Sequence, residues 1–409
     1  MTVTEPAGRS DGLIIGLVGF AHLLSHFYQV ALGPLFPLLR EEFNVSYTAL
    51  GLIVSLFFGV SGACQAFVGI LVDRYGAHRL LLFGITAMST SVLLMGLAPA
   101  YWVLLPLAVT AAFGNCVFHP ADISILSAKV SPQRIGRALG IHGFGGTCGY
   151  FLSPIIIYYG VASTAGWRAG LVTAGLIGWG AAILIYRHRA VLRMPKSGME
   201  AGGALPGLAF YGRLLGNLPL MAAFCYFALI AAAGVAMQNF SVPALMELYG
   251  SPLAVATAGL TVYLAGNAAG VLAGGELADR LPRHALIASC GMACGAVLMI
   301  CVAAFSLTMP AIIGLLGTAG FFVGATGPSR DILIRAATPV GATGKVFGFV
   351  YSGLDLGSAS GPLLFGWLMD GGQFRGVFVG IAAMYVIAIL SVLQLRRGAH
   401  TTAEQSTSP

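Results

Sequence analysis

Eight ionisable side chains stand in stretches otherwise stripped of charge: His22, His26, His119, Asp122, His142, Arg330, Asp331 and Asp355. Groups of these types can bind an ion, hold a solute or carry a proton. His22 and His26 are one helical turn apart, and Gln29 follows three residues later on a similar face. Imidazole titrates near physiological pH, so this face could relay protons or hydrogen-bond a solute. Asp122 follows His119 by three residues, beside Pro120, which should kink a helix. Arg330 is a permanent cation whose planar fork suits carboxylate or phosphate. Asp331 points about 100° away from it on a helix and precedes Arg335 by four residues, the favourable order for a local pair. A clamp from Asp331 to Arg335 is therefore expected. Asp355, in YSGLDLGSASGP, has no basic neighbour and is a candidate proton carrier alongside Asp122. His142 reads as a packing residue. For each of the others the plainer alternative is also packing: a side chain hydrogen-bonded inside its own helix bundle.

The elements that must position these groups follow from composition. The chain of 409 residues is 57% hydrophobic and 9% charged. A soluble domain carries about 25% charged residues, so lipid is the solvent this surface suits. A helix needs about 20 apolar residues to cross the hydrocarbon. Six such stretches end by Tyr186: Gly12–Leu39, Phe43–Val72, two within Leu80–Ala121, Ala138–Trp167 and Ala169–Tyr186. Six more follow: Leu214–Met246, Leu248–Gly275, two within Ala285–Ser329, Val346–Met369 and Gly376–Leu395. An all-α membrane protein of twelve transmembrane helices is expected. Lys and Arg accumulate in cytoplasmic loops. With both termini cytoplasmic, only Arg40, Arg168 and Arg375 fall on the far side, and Arg330 within a span. The net charge of +7 is thereby explained by topology, and nucleic-acid binding has no support. The seven cysteines all lie inside the expected spans and read as buried thiols.

The chain is built twice. GILVDRYGAHR (Gly69–Arg79) and GELADRLPRH (Gly275–His284) occupy matching loops, with Asp73 and Asp279 offset by 206 residues. Pro120, Gly136, Gly140, Gly145, Gly149 and Pro154 each find a partner 208 residues on, at Pro328, Gly344, Gly348, Gly353, Gly357 and Pro362. The expected division is a cytoplasmic N-terminus at 1–11, six-helix bundles at 12–190 and 214–397, a cytoplasmic linker at 191–213, and a disordered tail at 398–409. Gly145-x-x-x-Gly149 and Gly353-x-x-x-Gly357 should let their spans pack closely against neighbours.

The loop GILVDRYGAHR resembles the signature loop of the major facilitator superfamily, and the resemblance covers the whole chain through span count, linker and repeated loop. It implies two pseudo-symmetric bundles working by alternating access, with substrate held near the midplane by spans 1, 4, 7 and 10. It implies gating roles for Gly69, Asp73, Arg74, Gly76 and Arg79, and for Asp279 and Arg280 in the second copy, where Leu281–Pro282 replaces the glycine. AHLLSHFYQV, GNCVFHPADIS and HGFGGTCGYFLSP are similar to the fosmidomycin-resistance branch, which exports small, often anionic drugs in exchange for protons. This sequence departs from that branch: His26 stands where an acid is usual, Ala121 where a Glu follows the His-Pro pair, and Thr110 where drug–proton antiporters carry an Arg.

These readings combine into one expectation. Asp122 and Arg330 are 208 residues apart, so the repeat places them at equivalent positions, and an acid–base pair across the cavity is expected to open when a proton or anion intervenes. Substrate contacts are expected from Arg330, His119, His22, His26, Gln29, Tyr28, Gln238, Asn239, Tyr263 and Asn267. Asp331 and Arg335 join the gating set. No metal site and no cofactor are expected, the proton gradient being the energy source. The partners are a small-molecule substrate, protons and the bilayer of a bacterial-type inner membrane, and a monomer is expected. Export of a small organic anion or drug leads, and proton-coupled uptake of an organic acid is the alternative. A membrane receptor or enzyme is disfavoured, because no nucleotide loop or nucleophile–base set is present.

Overall fold

The computed structural model describes residues 7–194, 216–337 and 343–406, and every regular element among them is helical. The helices are α1 (Ala7–Gln29), α2 (Phe36–Phe43), α3 (Tyr47–Tyr75), α4 (Ala77–Gly96), α5 (Tyr101–Asn115), α6 (Phe118–Lys129), α7 (Ile135–Pro154), α8 (Ser163–Arg187) and the short α9 (Arg189–Leu192). After the linker come α10 (Leu218–Tyr249), α11 (Leu253–Arg280), α12 (His284–Ala304), α13 (Met309–Ala337), α14 (Thr343–Asp370) and α15 (Phe374–Ser406). Most of the expected linker at 191–213 lies outside the described residues.

Ten segments among the described residues are long and apolar enough to cross a membrane. One of them, Ile135–Arg187, runs 53 residues. That is twice the length of a span, and it breaks at Gly166, whose φ of 86° a side chain would strain. Counting it as two and adding α14, whose 28 residues also suffice at about 1.5 Å each, gives the twelve spans expected. Two prolines shape the spans around the polar groups. Pro120 lies in the first turn of α6, just past the break between α5 and α6 at Cys116–Val117. Pro154 ends α7, and the chain continues as a widened π-helical stretch, Ile155–Ala162. A proline supplies no N–H to the ladder, and a π turn is one way to absorb the loss.

The chain forms two compact units. The first holds residues 1–43 and 56–203, and the second residues 44–55 and 204–409. Residues 44–55, which open α3, group with the second unit and not with the bundle expected at 12–190. The reason is close packing on α14. A Cβ on Gly366 would meet the Thr48 backbone at 2.7 Å, and one on Gly51 would meet the Pro362 carbonyl. Asp370, at the end of α14, accepts hydrogen bonds from Tyr47 N at 2.7 Å and Thr48 N at 2.9 Å.

Inside each unit the same pairs pack. In the first, α1 packs on α7 and α4 on α8. In the second, α10 packs on α14 and α12 on α15. The glycine repeat explains the tightest of these. A Cβ on Gly145 would press on the Gly19 carbonyl at 3.1 Å, and one on Gly149 would collide with the Leu23 carbonyl. In the second unit Gly353 stands against Phe224 O and Gly357 against Ala228 O. The glycines are 208 residues apart and their targets 205, so one backbone-to-backbone contact is used twice.

Candidate functional site

The close approach of α7 to α1 decides what surrounds the imidazoles of α1. Gly146 has no side chain, so the rings of His22 and His26 can lie against it: a Cβ there would sit 2.9 Å from His22 Nε2 and 3.1 Å from His26 Nε2. The same helix contributes His142, whose ring stacks on His22 with centroids 3.6 Å apart. The start of α6 contributes His119 and Asp122. Asp122 is fully buried, and its Oδ2 lies 3.0 Å from His142 Nε2 and 3.2 Å from His22 Nδ1. His119 packs edge-on to His22 at 5.0 Å and is itself exposed. Four imidazoles and one carboxylate from three helices thus meet in the first unit.

A string of neutral groups continues the polar zone. Tyr150, whose ring lies 4.6 Å from that of His26, donates to Gln29 Oε1 at 3.0 Å. Gln29 Nε2 donates to Asn115 Oδ1 at 3.0 Å, and Asn115 Nδ2 to Ser61 Oγ at 2.8 Å. Along α1, His22 to Gln29 is seven residues, or about 10 Å. A seam of polar side chains therefore follows α1 through an otherwise apolar bundle.

Several expectations change here. His142, read as a packing residue, is a direct partner of Asp122. Tyr28, expected to contact substrate, is locked in the core instead: its hydroxyl donates to Ala174 O at 3.0 Å and pairs with Ser89 Oγ at 3.1 Å. Phase explains it, because Tyr28 is only one residue short of Gln29 yet faces α4 and α8. Asn115, Tyr150 and Ser61 were not expected. Asn115 precedes His119 by four residues and Asp122 by seven, a helical spacing that could have revealed it. Ser61 arrives from another helix and no spacing could have supplied it; Tyr150 lies about two turns past His142 on α7 but reaches Gln29 only across the contact of α7 with α1.

In the second unit the charges also find partners at home. Arg330 Nε donates to Asp331 Oδ1 at 2.8 Å, and its guanidinium lies over the Phe227 ring at 4.9 Å. Tyr351 places its hydroxyl 3.5 Å from the same Asp331 oxygen. Asp331 thus pairs with Arg330, while the side chain of Arg335, on which the expected clamp depends, lies outside the described residues. Phe227 follows His22 by 205 residues and Arg330 follows Asp122 by 208, so the repeat fills one slot with imidazole and carboxylate, and the other with benzene ring and guanidinium. Each of the two charges expected to meet across the bundles has its counter-group inside its own unit.

The remaining candidates in this unit divide. Asn239 is buried and donates back to Val235 O at 2.9 Å, and Tyr263 is buried against the Tyr385 hydroxyl at 3.0 Å, so both are tied to packing. Gln238, Asn267 and Asp355 are partly exposed, and Asp355 makes no hydrogen bond or ion pair among the described residues. In the signature loop Gly76 takes φ 87° at the N-cap of α4, a conformation that needs glycine. Gly69, Asp73, Arg74 and Arg79 are exposed there, as are Asp279 and Arg280 in the second copy. Arg280 pairs with Glu276 one turn back, its Nε 2.7 Å from the carboxylate.

A family model of the Major Facilitator Superfamily matches residues 18–237 and again 222–408. The chain belongs to the Major Facilitator Superfamily. Among its relatives is the fosmidomycin resistance protein of Escherichia coli (strain K12), 28% identical over 292 residues and 69% of each chain. The probable L-galactonate transporter of the same organism is 23% identical over 87% of this chain and 82% of its own. A solved bacterial homologue of the human lysosomal transporter Spinster shares the fold, with a TM-score of 0.74 at 15% identity, over 97% of this chain and 98% of that one. Membership in the Major Facilitator Superfamily makes the chain an integral membrane transporter, not an enzyme.

Proposed function

We propose that this transporter is a proton-driven exporter of a small organic anion, working by alternating access. The observation that carries the reading is Arg330: a guanidinium placed inside a span, held over Phe227 and balanced among the described residues by the carboxylate of Asp331. A permanent cation at membrane depth is costly and marks a solute pathway. Here an incoming carboxylate or phosphonate could take the place of Asp331. Asp355 is the proton carrier in this reading, since it is partly exposed and uncommitted to any counter-charge among the described residues. The resemblance to the fosmidomycin resistance protein favours export. The resemblance to a probable galactonate transporter, whose named solute is an organic acid, favours uptake as the second reading.

The test uses inside-out vesicles containing the full chain and a panel of organic acids and phosphonates. Export predicts accumulation that a protonophore abolishes, loss of it in Arg330→Ala, and partial retention in Arg330→Lys. Asp355→Asn should lose proton-driven accumulation while keeping substrate counterflow. Unchanged anion affinity in both Arg330 variants would remove the basis of the reading. Proton-driven movement in the opposite sense would replace export by uptake.

A further inference from the structure

We propose that the first unit binds one first-row divalent cation of the Zn²⁺ class through His22, His119 and His142. The three residues come from three helices, and each offers a ligand atom within 4.8 Å of the others. Three donors brought that close from separate elements are the minimum of a metal site; to reach the zinc bond length of about 2.0–2.1 Å, the stacked rings of His22 and His142 must swing apart so that both in-plane lone pairs meet at one ion. The carboxylate of Asp122 touches two of the three rings. It supplies the negative charge that orients and polarises metal-bound imidazoles in known sites.

Unfilled hydrogen bonding points the same way. His22 Nδ1, both nitrogens of His26 and Asp122 Oδ1 are buried without a hydrogen-bond partner, although His22 Nδ1 and the Asp122 carboxylate are only 3.2 Å apart. Buried polar atoms are seldom left unpaired in folded proteins. Stacking His22 on His142 at 3.6 Å brings two dipolar rings together without a hydrogen bond between them. A cation held by His22, His119 and His142 would take up a lone pair from each and give the buried Asp122 carboxylate a positive charge to face, while His26 stays outside the ligand set.

The donors also select the ion. Imidazole with a carboxylate suits zinc, cobalt, nickel or copper, whereas magnesium and calcium want oxygen ligands. Three protein ligands leave a fourth position for water, the arrangement of an open site and not of a closed structural one. His119 is exposed while His22 and His142 are buried, so an ion can arrive on the His119 side. This inference stands on the first unit alone and does not depend on Arg330.

The test is Co²⁺ binding to the full chain, purified in detergent with its affinity tag removed and loaded with Co²⁺ alone. The expected result is one Co²⁺ per chain, with the intense visible bands of tetrahedral coordination, displaced by one equivalent of Zn²⁺. His119→Ala, at the exposed ligand, should weaken binding at least tenfold. Asp122→Asn should weaken it about 10–100-fold, as expected when a carboxylate behind a ligating histidine is lost. His119→Cys guards against a merely misfolded variant, since it should keep the ion and add a thiolate-to-cobalt charge-transfer band. Wild-type protein without tetrahedral bands, or a His119→Cys protein that binds Co²⁺ with no such new band, would overturn the proposal.

Discussion

Arg330 Nε donates to Asp331 Oδ1 at 2.8 Å, joining neighbours that a helix aims about 100° apart. The pair forms because a long guanidinium can fold back along the helix once Phe227 offers its face. Asp331 therefore competes with any anion for Arg330. Asp331→Asn keeps the shape and removes the competing charge. The apparent KM for the transported anion should fall about three- to tenfold, roughly 1 kcal/mol. Transport assays across an anion titration read this directly, and an unchanged KM would show that the two carboxylates do not compete.

The glycines of α7 and α14 give a stability prediction. Gly149→Ala drives a methyl into the Leu23 carbonyl and to 2.9 Å from Phe27 N. Gly357→Ala does the same against Ala228. Backbone atoms cannot move aside as a flexible side chain can, so each substitution should cost about 1–3 kcal/mol and lower the thermal midpoint in detergent. Gly143→Ala, one turn from Gly146 but with nothing within 4 Å of the added carbon, is the matched control and should be near neutral. Equal midpoints for Gly149→Ala and Gly143→Ala would contradict the close-packing account.

How far the sequence could be read depended on the range of the signal. Span count, the repeat and the tight glycine contacts are local or periodic, so hydropathy and the 208-residue offset reveal them. Asp122 and Arg330 were recognised as equivalent for the same reason. Their partners were not, because a partner depends on which face of a neighbouring helix arrives. His142 lies 20 residues from Asp122 and reaches it only after α7 is drawn onto α1 by Gly145 and Gly149. That Arg330 turns back to Asp331 was hidden as well, since helical spacing takes no account of an aromatic ring supplied by α10. The grouping of residues 44–55 with the second unit was likewise hidden, since it rests on contacts more than 300 residues apart in sequence.

Tyr28 separates packing from solute contact. Its hydroxyl is buried between Ser89 and Ala174. Tyr28→Phe should therefore destabilise the protein by about 1 kcal/mol, the usual worth of such a bond, and leave the KM for transport unchanged. A raised KM with unchanged thermal stability would return Tyr28 to the substrate-contacting set.

Asp370 supplies the last prediction. Its carboxylate accepts from Tyr47 N at 2.7 Å, Thr48 N at 2.9 Å and Thr48 Oγ1 at 2.6 Å, capping the first turn of α3. Partial burial pushes its pKa up, but these hydrogen bonds outweigh it and hold the group below the usual carboxylate range. A carboxyl depressed on folding stabilises at pH above its unfolded value of about 3.9, and that contribution is lost as pH falls through the lower folded value. At neutral pH the cap is therefore fully formed. Asp370→Ala should remove it, at about 1 kcal/mol for a lost N-cap acceptor. Amide exchange at residues 47–49 should then speed up several-fold at pH 7, while amides deep in α10 stay unchanged. Because the variant lacks the titrating group, acidification to pH 3 should narrow the difference in thermal midpoint between it and the wild type. A difference that stays constant from pH 7 to pH 3 would mean that the charge of Asp370 contributes nothing to holding α3 against α14.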